Sequence, residues 1–79
     1  MTAPFIPNST YKKMEYQGVS EREVIDVWNN GEYVTFGSGE KGLKRRYESQ
    51  GFEVGISYAT MNSGQQMVTG VWKRYIGRR

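Results

Sequence analysis

Phe52, Val54, Ile56 and Tyr58 alternate strictly with Glu53, Gly55 and Ser57, and the run leads into the turn-forming Asn62-Ser63-Gly64. A period of two sends successive side chains to opposite faces, so this segment reads as a strand with one apolar face. A three-residue loop closing on a left-handed Gly64 sets the register of a hairpin. Tyr58 then faces Val68, Val54 faces Trp72, and Glu53 faces Lys73 as a charge pair on the opposite side. That register puts Trp72 in the core. Gly70 falls opposite Ile56, where it leaves room for a bulky neighbour or marks a bulge.

A second hairpin is predicted around Asn30-Gly31, the dipeptide favoured by a two-residue type I′ turn, between Glu23–Trp28 and Glu32–Phe36. Its register puts Ile25, Val27, Val34 and Phe36 on one face, with Trp28 beside Tyr33 on the other. Between the hairpins, Glu40–Gln50 reads as a short helix. Leu43 and Tyr47 stand at i, i+4, Glu40 and Lys44 form an i, i+4 ion pair, and Gly51 suits the left-handed position after a helix. Pro4, Pro7 and the turn formers Asn8, Ser9 and Thr10 mark residues 1–10 as a flexible arm, and Tyr11–Gln17 reads as an edge strand. The expectation is one α+β domain over residues 11–76 in ββαββ order, with a basic tail at 77–79. A small SH3-like all-β barrel is the alternative, reached if Leu43–Ser49 is extended.

With 79 residues the chain is near the size at which one core barely offsets chain entropy, so large apolar side chains are needed for packing first. There is no cysteine and no histidine, which removes disulfides, the commonest metal ligands, thiol nucleophiles and the usual base at neutral pH. Asp26 and the seven glutamates are not paired at acid/base spacing by these registers, so the chain is read as non-catalytic and free of cofactors. No apolar run approaches the roughly 20 residues of a bilayer span, and MTAPFIPNST lacks the pattern of a secretory signal. A cytoplasmic protein with no membrane partner is expected.

Eight of the eleven cations sit in two clusters interleaved with aromatic rings: Lys41, Lys44, Arg45 and Arg46, then Lys73, Arg74, Arg78 and Arg79. Neighbouring charges build a local field even at a net +3, and separate basic anchors are what a groove tracking a phosphate backbone needs. Trp28 and Tyr33, side by side in the predicted register, are the candidate base-stacking groups. Gly37-Ser38-Gly39-Glu40-Lys41-Gly42 matches G-x-G-x-x-G, but the strand before it belongs to an antiparallel hairpin, so a dinucleotide-binding crossover is excluded. Its Gly39–Gly42 tetrapeptide resembles the GXXG loop of KH domains, which joins two helices, and no helix is predicted before it. The reading is a nucleic-acid-binding accessory or regulatory protein, for DNA or RNA. The alternative is a small inhibitor or adaptor, of the kind carried by phages or mobile elements, that docks on an acidic protein surface. A homodimer through the second sheet face is a further option.

Overall fold

The computed structural model describes residues 3–77. Two helices, α1 (Asn8–Gln17) and α2 (Glu21–Asn30), precede four strands, β1 (Glu32–Thr35), β2 (Lys41–Tyr47), β3 (Phe52–Thr60) and β4 (Gln66–Tyr75). The strands form one antiparallel meander in the order β1-β2-β3-β4. The class is α+β as expected, but the order is ααββββ rather than ββαββ. The all-β barrel alternative has the extended β2 segment right, but the two helices and the open four-stranded sheet depart from it. No helix among the described residues is long and apolar enough to cross a membrane.

Each departure from the expected order has a local cause. Ser20 caps α2: its Oγ accepts from the Glu23 N–H at 3.1 Å while Glu23 Oε1 accepts from the Ser20 N–H at 2.8 Å. This capping box supplies acceptors for two of the backbone donors that a helix start leaves unmet, and Val24, Val27 and Trp28 then share a helical face. Asn30-Gly31 is therefore no hairpin turn. Gly31 is extended at φ −77°, and a side chain there would press on the Val27 and Lys44 carbonyls, at 2.6 and 2.9 Å from its Cβ. Tyr11–Gln17 is helix, stopped by left-handed Gly18. Lys41–Tyr47 is a strand, and Gly51 adopts the expected left-handed conformation in the β2–β3 turn instead of after a helix.

One face of the sheet meets both helices. Ile6, Met14, Val19, Val24, Val27, Leu43, Val54, Ile56, Val68 and Val71 form the buried core there, rimmed by Trp28, Tyr47, Phe52 and Tyr58. The β4 edge is closed by the start of the chain. Phe5 makes a parallel bridge to Met67, Thr10 Oγ1 donates to the Val68 carbonyl at 2.7 Å, and Lys13 Nζ donates to the Thr69 carbonyl at 3.0 Å. Residues 3–10, read from the sequence as an arm, thus include the Phe5 bridge and the first turn of α1.

The β3–β4 hairpin begins as predicted, with Gly64 left-handed and Tyr58 paired to Val68. The register then slips, because Ser57 pairs with Gly70 and Thr69 is left over. This is a β-bulge, one of the two roles that Gly70 suggested. Beyond it Val54 faces Lys73, Glu53 faces Arg74 and Gly55 faces Trp72. A one-residue slip turns every later side chain to the other face. Val71 takes the core position, and Trp72 moves to the face without helices.

Candidate functional site

Strand alternation places Val34, and Phe36 just after β1, with Gly42, Lys44, Arg46, Glu53, Gly55, Ser57, Gly70, Trp72 and Arg74 on the open face. Glycines seat the rings: a side chain at Gly42 would overlap Phe36, and one at Gly55 would overlap the Trp72 indole. Both rings lean inward over the central strands. Trp72 and Phe36 are half-buried although no helix covers this face.

Two hollows share these rings. The smaller, about 430 Å³, is lined by Val34, Phe36, Lys44, Glu53, Trp72 and Arg74. The larger, about 500 Å³, has Phe36, Ser57, Gly70 and Trp72 at its base and is bordered by Lys12, Lys13 and Tyr16 of α1 and by Glu40. They make a groove with an aromatic base and cations at both ends. Sequence reasoning missed Phe36, Trp72, Lys12, Lys13 and Tyr16 as its lining. The available signal was the set of glycines at positions 42, 55 and 70.

Glu53 lies at the base of the smaller hollow and is 0% exposed. Arg74 Nε donates to its Oε1 at 2.9 Å, while Lys44 Nζ stands 3.6 Å from Oε2, in ion-pair range. Oε2 has no hydrogen-bond partner among the described residues. Burial alone would raise the Glu53 pKa, but the Arg74 hydrogen bond and the Lys44 charge outweigh it and hold the carboxyl below its usual range. The triad keeps one net positive charge.

The two basic clusters are divided by strand parity. Lys44, Arg46 and Arg74 are on the open face, whereas Lys41, Arg45 and Lys73 share the helix-side parity. Arg45 Nη1 donates to Asp26 Oδ1 at 2.6 Å, and Lys73 Nζ lies 3.6 Å from Glu23 Oε2 and 4.2 Å from the centre of the Phe52 ring. These two cations tie the sheet to α2. Lys41 is exposed at the start of β2, and Arg46 is 3.4 Å from the exposed carboxylate of Glu48. Arg78 and Arg79 lie outside the described residues.

Trp28 and Tyr33 are not opposed across a hairpin. Trp28 is on α2 with its ring edge-on to Tyr58 at 5.3 Å, and Tyr33 is on edge strand β1, 81% exposed. The predicted Trp28–Tyr33 pair is therefore not formed, and the rings on the open face are Phe36 and Trp72. On the helix side, the Tyr47 hydroxyl donates to Asp26 Oδ2 at 2.5 Å. That hydrogen bond, with the nearby Asn30 and Arg45 donors, lowers the Asp26 pKa against the effect of burial. Burial, followed by the bond to Asp26, raises that of Tyr47. Among the described residues, no group of three metal-ligating side chains gathers.

Comparison with protein-family models, curated proteins and solved structures finds no match to this chain.

Proposed function

We propose that this protein binds nucleic acid without catalysing a reaction, as an accessory or regulatory factor, and does so through the open face of its sheet. The observation that carries the reading is the seating of Phe36 and Trp72 on glycines between Lys12 and Lys13 at one end and Lys44, Arg46 and Arg74 at the other. Half-buried rings with an open face accept bases by stacking, worth about 1–3 kcal/mol each, and flanking cations take the phosphates. Glu53, Glu32 and Glu40 offset part of that charge, so the electrostatic share of binding is moderate.

Fluorescence anisotropy with labelled mixed-sequence DNA and RNA across a salt series tests this. With about three phosphates neutralised, the slope of log affinity against log salt is expected near −2. Replacing Trp72 with Ala should weaken binding about tenfold or more. Absence of binding at low salt would sink the reading.

The alternative, an inhibitor or adaptor docked on an acidic protein surface, draws on other residues. Tyr33 and Tyr75 are 81% and 80% exposed and share the helix-side parity with Lys41. They stand on the two outer strands, β1 and β4, and exposed aromatic rings of this kind anchor protein interfaces. A stoichiometric protein partner that survives nuclease treatment and is lost on replacing Tyr33 and Tyr75 would favour it.

A further inference from the structure

Resting on the nucleic-acid reading, we propose that the open-face groove is a single-strand site that selects a base carrying an exocyclic amino group, with Glu53 as the selecting acceptor. Stacking on Phe36 and Trp72 needs a free base face, which a duplex keeps inside its own stack. The two hollows, about 430 and 500 Å³, lie side by side and share both rings, which suits consecutive nucleotides of one strand. Lys12 and Lys13 border one end, and Lys44 and Arg74 the other, so a backbone crossing the groove meets cations as it enters and leaves.

Glu53 supplies the selectivity. It is a fully buried carboxylate in the lining of the smaller hollow, and its Oε2 accepts no hydrogen bond among the described residues. Arg74 holds Oε1 and fixes the carboxylate in place. Lys44 faces Oε2 at 3.6 Å, a long ion pair that offsets its charge. A phosphate at the rim attracts the Lys44 ammonium outward. A base amine stacked on Trp72 then donates to Oε2 in its place, and a donor to a carboxylate makes a charge-assisted bond. Cytosine, adenine and guanine carry such an amine. Uracil and thymine instead flank their one ring N–H with carbonyl oxygens, which repel a carboxylate.

The test compares oligocytidine and oligouridine of about eight nucleotides, within the usual range of single-strand site sizes, by anisotropy at fixed low salt. Wild-type protein should bind oligocytidine roughly tenfold more tightly, as expected for one matched base contact. Glu53→Gln should bring the ratio close to one, because an amide both donates and accepts. Trp72→Phe should weaken both ligands and keep the ratio. Should Glu53→Gln fail to fold, the wild-type protein with guanine- and hypoxanthine-containing strands decides, since these bases differ in the amine alone. Equal affinity for cytosine and uracil strands, or duplex binding as tight as single-strand binding, overturns this inference and leaves the nucleic-acid reading standing. Failure to bind any nucleic acid overturns both.

Discussion

The indole of Trp72 occupies the space that a side chain at Gly55 would fill on the neighbouring strand. Ring and glycine are register partners across β3 and β4, so the aromatic base of the groove depends on a residue with no side chain. Gly55→Ala should displace the indole and cost about 1–3 kcal/mol, as overpacking does. Chemical denaturation gives the cost. The emission of Trp72, isolated in a Trp28→Phe background, should shift to the red. Unchanged stability together with unchanged emission would contradict the seating.

Strand parity separates cations that are adjacent in sequence. Arg46→Ala should change stability by less than about 0.5 kcal/mol, because its partner Glu48 is exposed, and should flatten the salt slope of binding by about 0.7. Lys73→Ala should do the reverse, destabilising the fold through loss of Glu23 and Phe52 while leaving the slope unchanged. A matched salt titration and denaturant melt of the two variants checks the division.

The Asp26–Tyr47 hydrogen bond predicts pH dependence at both extremes. The folded-state pKa of Asp26 is lowered from 3.8, so its stabilisation is present above that value and fades as pH falls through the lower folded value. Tyr47 is raised from 10.0, so its stabilisation is complete below pH 10 and fades as pH rises beyond it. Tyr47→Phe should cost about 1–3 kcal/mol at neutral pH, with the loss shrinking toward both ends of the range. Melting temperatures of the two proteins across pH would show this convergence, and parallel curves would count against it.

Thr10→Val keeps shape and removes the hydroxyl that donates to the Val68 carbonyl in the interior. Leaving that acceptor unmet should cost about 1–3 kcal/mol. Hydrogen exchange should quicken along β4 and α1 before it does in β2.

The β3–β4 turn was legible because alternation and Asn62-Ser63-Gly64 agree, and the Tyr58–Val68 pairing followed from them. Its far half was not, since one surplus residue at Thr69 reverses every later position and alternation in β4 does not announce it. For β2, Leu43 and Tyr47 are four apart. Four is a multiple of two as well as close to a helical turn, so the pair fits a strand as readily as a helix. For α2, the β-branched residues and Asn30-Gly31 pointed to a hairpin, while the deciding signal lay upstream in Ser20 and Glu23. The cation positions were visible in the sequence. Which face each cation occupies depended on elements misread at this level.

The bonds that close the β4 edge also bear on how the chain reaches its native state. Thr10 and Lys13 reach partners 58 and 56 residues away. Contacts this distant impose a loop-closure cost that local turns do not, and chains rich in them fold slowly. The docking site of the first helix is therefore complete only once the final strand is in place. Until β4 is in place, α1 has no edge to cover and the β3 backbone is itself an unpaired edge, so a chain interrupted before Gln66 is the form most exposed to pairing with other molecules.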